Sequence, residues 1–169
     1  MKLLPELIRL LKLDRFRYRG LTLGEIKLCR SVYADLIEYD RVKIMNHPFL
    51  PWQPKHMFMA PQGYIHIRNA HFSADFSQEN LSYKSIFIHE MAHVYQHQQG
   101  ISVLFQGAIL QTAFYLSMGK YNPYHYQLKD HKAFQDYNIE QQGDIAKDIF
   151  LGKIPNIILK SNRDDSIHG

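Results

Sequence analysis

The order of elements predicts an α+β domain: helices, then a small sheet, then helices again. Three observations carry this. A capping-box sequence opens an early helix, alternating residues near position 65 mark a strand, and two helical stretches of strongly apolar or His/Gln-rich sequence follow. With 169 residues, 46% of them hydrophobic, the chain suits one domain with a real core. The expected domain is 1–160, with residues 161–169 as a polar, frayed tail.

Residues 1–13, MKLLPELIRLLKL, place Leu3, Leu4, Leu7, Leu10 and Leu11 on one helical stripe. Pro5, Glu6 and Arg9 interrupt the apolar run, and no small-residue cleavage site follows, so this reads as an amphipathic helix and not a signal peptide. Thr22 and Glu25 form the capping box of a helix expected to reach about residue 37, with Ile26, Cys29, Val32, Tyr33 and Leu36 on its buried face. Cys29 is the only cysteine, which excludes an internal disulfide and a CxxC zinc knot. Residues 41–45 read as a short strand, and Pro48, Pro51 and Pro54 as an irregular loop around Trp52.

Residues 55–60 and 64–68 are two further strand candidates, joined by the turn Pro61-Gln62-Gly63. Met57, Phe58 and Met59 are expected in the core or on a cleft wall. A helix is expected from about 83 to 99, stopped by Gly100. The next helix, about 102–118, is too apolar to be fully exposed. A tyrosine- and proline-bearing loop at 121–126 leads to a last helix at about 133–151.

No apolar run reaches the ~20 residues needed to span a bilayer, so no transmembrane segment is expected. The formal charge is +4 and the basic residues are scattered, apart from Arg15, Arg17 and Arg19. This predicts a mildly basic surface and no nucleic-acid footprint.

The chemistry concentrates in HEMAHVYQHQQG, residues 89–100. His89 and His93 are i and i+4 on one helix, so both imidazoles can reach one zinc ion. Glu90 sits beside such a metal and can take a proton from a water that the metal acidifies. His97 lies about 12 Å further along the axis from His89 at 1.5 Å per residue, out of reach of the same ion. Gln96 and Gln99 stand where the longer three-histidine pattern needs glycine and histidine, which excludes that subclass.

A third ligand must come from downstream, among His125, Asp130, His131, Asp136, Glu140 and Asp144. Glu140 and Asp144 make the best pair, one turn apart on the last helix. Glu140 would bind the metal, and Asp144 would accept the free N–H of His89. His125 and His131 remain alternatives.

The HExxH helix followed by an E-x-x-x-D helix resembles the glutamate-ligand zinc peptidases, a division of the zincins. A closer resemblance covers residues 20–152. LTLGE at 21–25, DRVKI at 40–44, QPKHMFMAPQGYIHI at 53–67, IHEMAHVYQHQQGI at 88–101 and YNIEQQGDI at 137–145 are similar to the Vgr-related family of small bacterial zincin-like proteins, associated with type VI secretion and Rhs-type toxin systems. The resemblance implies a zincin-like metallopeptidase fold, one catalytic Zn²⁺ on His89, His93 and Glu140, and Glu90 as general base. Gly143 departs from it, since alanine is expected there.

The function expected from these readings is zinc-dependent hydrolysis of a protein or a peptidoglycan peptide, by a toxin, effector or accessory protein of a secretion system. The oxyanion donor would come from the loop holding Tyr124, His125 and Tyr126, with Tyr126 preferred, and residues 64–68 could carry an extended substrate. Secretion machinery or an immunity protein would be the protein partner. With no signal peptide, the protein would sit in the producing cell's cytoplasm and leave by the secretion machine. The rival reading is a non-catalytic structural or adaptor domain that keeps the fold and a zinc, for which a fourth protein ligand would be the mark.

Overall fold

The computed structural model describes residues 15–160, so the expected N-terminal helix and polar tail lie outside the described residues. The architecture is α+β around a three-stranded sheet. The strands are β1 (Tyr18–Arg19), β2 (Lys43–Met45) and β3 (Tyr64–His66); the α-helices are α1 (Leu23–Tyr33), α2 (Leu81–Gln98), α3 (Val103–Leu116) and α4 (Ile139–Phe150). β1 runs antiparallel to β2, pairing Arg19 with Ile44, and β2 runs parallel to β3, pairing Ile44 with Ile65. Ile44, Ile65 and Ile67 turn into the core beside Phe76, Phe87, Ile88 and Met91.

The capping box forms as expected: Glu25 N donates to Thr22 Oγ1 at 3.1 Å, and Thr22 N donates to Glu25 Oε2 at 2.8 Å. Glu25 does more than cap. It is fully buried, takes two 2.7 Å bonds from the Arg19 guanidinium, and accepts from Phe76 N at 2.8 Å. Arg19 is thus drawn out of the basic surface to tie β1, α1 and the turn at Phe76 together. Glu25→Ala would strand that guanidinium, and urea unfolding is expected to show a loss of about 3 kcal/mol. Cys29 is buried in the core as the periodicity predicts, and burial pushes its thiol pKa well up.

Two sequence expectations are corrected. Residues 55–60 form no strand; Met57 N turns back to Pro54 O, and Gln53 Nε2 donates to Met57 O. Only an isolated antiparallel bridge remains, Met59 with His66. The helix expected at 102–118 is present as α3, but only Val103 of its 14 residues is buried. Its apolar sequence is displayed rather than enclosed.

α2 begins earlier than expected because Asn80 caps it, accepting from Tyr83 N at 3.1 Å. Its buried side carries Phe87, Ile88, Met91 and Val94, and packs chiefly against α4. Asn138 caps α4, its side chain accepting from the backbone N–H groups of Glu140 and Gln141. Glu140 therefore stands in the first helical turn, where the helix dipole favours a carboxylate.

Candidate metal centre

The packing of α2 on α4 brings His89, His93 and Glu140 together, with one ligand atom from each within 4.8 Å of the others. His89 Nε2 lies 3.4 Å and His93 Nε2 lies 3.6 Å from Glu140 Oε2. Ligand atoms around a tetrahedral zinc at 2.0–2.1 Å stand about 3.3 Å apart, so the spacing and the donor set fit that ion. His125 and His131 are not part of the cluster, which has three ligand residues among the described residues.

Each imidazole is held from behind. His89 Nδ1 lies 3.2 Å from Asp144 Oδ1, the partner expected from the sequence. His93 Nδ1 lies 2.9 Å from Gln96 Oε1. Gln96 is fully buried, and its amide donates to Ile139 O at 3.0 Å and to Gln142 Oε1 at 2.9 Å, so its oxygen faces the ring. With Nδ1 of each ring turned to these partners, both Nε2 atoms are left aimed at Glu140. Sequence reasoning noted Gln96 only as a missing glycine; its i+3 position after His93 was the available signal.

Gly143 has a reason in the fold. A Cβ there would lie 2.5–2.7 Å from three atoms of the His89 ring. The glycine lets α4 approach the imidazole closely, at a helix-propensity cost of up to ~1 kcal/mol. Gly143→Val is expected to displace His89 and to weaken the binding of a zinc ion added to this cluster about 10- to 100-fold, read by chelator competition.

The charges respond to this crowding. Burial disfavours the charged form of His89, but hydrogen bonds to Asp144 and Glu140 outweigh it and raise its pKa to about 10. Burial likewise works against ionised Glu140, yet the two imidazoles hold its carboxyl well below the usual range. Glu90 shows the opposite balance: burial raises its pKa, with His93 and His89 opposing. Its Oε2 is buried without a hydrogen-bond partner among the described residues.

The cluster forms the floor of an apolar cleft of about 300 Å³. One wall is Met57, Phe58, Met59 and Ala60; the other is Val103, Leu104, Gly107 and Ala108 of α3. The segment beside the cleft is therefore 57–61, with Met59 bridging to His66, and not residues 64–68 as expected. A continuing lobe of about 410 Å³ shares Tyr124 and adds Pro54, His56, Ile86 and Lys147.

Tyr126 is corrected as the donor. Its hydroxyl donates to Asp148 Oδ2 at 2.6 Å, away from the cluster. Tyr124 lines the cleft instead, its ring centroid 6.5 Å from that of His89. Burial, with the carboxylates of Glu140, Glu90 and Asp144, raises its pKa to about 12, so the phenol keeps its proton. His97 is exposed and packs over Gly63, whose φ of +78° suits glycine.

The class is thus an α+β domain with a three-residue candidate metal centre at the base of an apolar cleft. No protein-family model matches the sequence. The chain is 45% identical over 136 residues to the type VI secretion system spike protein VgrG2b of Pseudomonas aeruginosa, covering 80% of this chain and 13% of that protein. It also matches the solved structure of the effector domain of Pseudomonas aeruginosa VgrG2b, with a TM-score of 0.73 and 41% identity, covering 88% of this chain and 82% of that one. The chain belongs to the family of this VgrG effector domain, and spans only about an eighth of the full spike protein.

Proposed function

We propose that this protein is a zinc-dependent peptidase of the zincin type, acting as an effector on a protein or a peptidoglycan peptide. The observation that carries the proposal is Glu90: a buried carboxylate oxygen without a partner among the described residues, placed beside a three-residue candidate cluster. A purely structural metal site has no use for such a group, and it normally has four protein ligands. His89, His93 and Glu140 would hold the ion, which when bound would acidify a water and polarise a substrate carbonyl.

The chain's own groups then divide the work. Glu90 accepts a proton at Oε2 and passes it to the leaving amine. Tyr124, protonated and lining both lobes of the cleft, donates to the oxygen on which charge develops. Met57, Phe58, Leu104 and Ala108 exclude water and accept apolar side chains of the substrate. Delivery by a type VI machine, with its spike as the protein partner, follows from the family and is part of the proposal. The test is direct: chelated protein is expected to leave casein and purified peptidoglycan intact, and stoichiometric zinc to restore cleavage of at least one. Zinc binding without cleavage of either would favour the adaptor reading.

A further inference from the structure

Among the described residues, sixteen large hydrophobic side chains are exposed, and nine of them lie between Leu104 and Leu128. Most belong to α3 or follow it directly. Residues 101–118 contain no charged residue, and residues 91–129 contain no Asp or Glu at all. The only formal charges in that longer stretch are Lys120 and Lys129, both exposed.

Leu104, Phe105, Ile109, Tyr115 and Leu116 spread over about 140° of the helix circumference, given 3.6 residues per turn. A surface helix of a soluble domain normally opposes its apolar stripe with charged residues. α3 has none, so water is a poor solvent for its outer face. At 14 residues it is about 21 Å long, too short to cross a ~30 Å hydrocarbon core but suited to lying at its boundary. No helix among the described residues is long and apolar enough to cross a membrane.

We propose that α3 and the segment after it form a docking surface for an anionic lipid bilayer. Phe105, Ile109 and Leu116 enter the acyl region. Tyr115 and Tyr121 sit at the headgroup level, where aromatic rings with a polar tip are favoured. Lys120 and Lys129 meet the lipid phosphates, and no carboxylate from 91 to 129 opposes them. Charge complementarity is what selects lipid over a protein partner: from Met91 to Lys129 the apolar face is joined by two lysines and no carboxylate, the first acid after it being Asp130. Because Leu104 and Ala108 also wall the cleft, docking would turn the cleft mouth toward the bilayer surface. The inference does not depend on hydrolysis and is tested without it.

The full chain is mixed with vesicles of phosphatidylethanolamine and phosphatidylglycerol, or of phosphatidylcholine alone, and sedimented. It should partition to the anionic vesicles, weaken as salt is raised, and lose at least about tenfold for each of Ile109→Glu and Leu116→Glu. Both positions are exposed, and circular dichroism checks that the variants stay folded. Leu116→Cys labelled with an environment-sensitive dye gives a second reading, since Cys29 is buried and escapes the label; its emission should shift to the blue with anionic vesicles. Failure of sedimentation together with an unshifted dye overturns the proposal. Equal binding to phosphatidylcholine overturns the anionic assignment. Self-association that Ile109→Glu abolishes, without vesicle binding, would assign the face to a second copy of the chain.

Discussion

Glu90→Gln is expected to keep the metal and lose the chemistry, with kcat falling about 10²- to 10⁴-fold on whichever substrate the wild type cleaves. The reasoning is geometric. The candidate ligands are His89, His93 and Glu140, so an amide at position 90 removes none of them. The change is nearly isosteric, which spares the packing of a buried side chain at the cleft floor. What it removes is the proposed proton acceptor at Oε2, a buried carboxylate oxygen without a hydrogen-bond partner among the described residues. Burial already raises the Glu90 pKa, which moves it toward the range useful to a general base at neutral pH. Metal content by mass spectrometry and turnover on casein or peptidoglycan separate the two effects. Equal activity in both forms would remove Glu90 from the mechanism.

Glu140→Ala is expected to cost zinc affinity by more than about 100-fold, beyond the 10- to 100-fold range for loss of a group that only supports a ligand. Asp144→Asn should fall within that lower range, because Asp144 touches His89 Nδ1 and lies on the far side of the ring from Glu140. The ordering of the two variants matters more than either value. In the cluster, Glu140 Oε2 is the atom both imidazoles share, at 3.4 and 3.6 Å. Competition with a zinc-sensitive chelator measures both. A larger loss for Asp144→Asn than for Glu140→Ala would mean that the carboxylate nearer the C-terminal end of α4 is the ligand.

Much of the site was legible because its rules are local. The i, i+4 spacing of His89 and His93 and of Glu140 and Asp144 needs only helical geometry, and the capping box at Thr22 and Glu25 needs only four residues. What escaped depended on how elements meet. Whether Tyr124 or Tyr126 faced the cluster turned on a loop whose path is set by contacts such as Gln141 to His125 O and Tyr126 to Asp148. The role of Gln96 required knowing that α4 would bring Ile139 and Gln142 against it. Gly143 reads as a flaw in a helix until the His89 ring is seen to occupy the place of its Cβ. The apolar sequence of α3 predicts burial by composition alone, and composition does not say what covers it. Residues 55–60 alternate poorly and lie between Pro54 and Pro61, so a single bridge to His66 is as much pairing as they achieve.

The central claim is a three-ligand zinc centre with one position left for chemistry. A crystal structure of the zinc-loaded protein, with anomalous scattering recorded at the zinc edge, tests it most directly. The account predicts one strong peak within about 2.0–2.2 Å of His89 Nε2, His93 Nε2 and a Glu140 oxygen, with no fourth protein atom in that range. A peak elsewhere, or a fourth side chain closing the coordination shell, would contradict it.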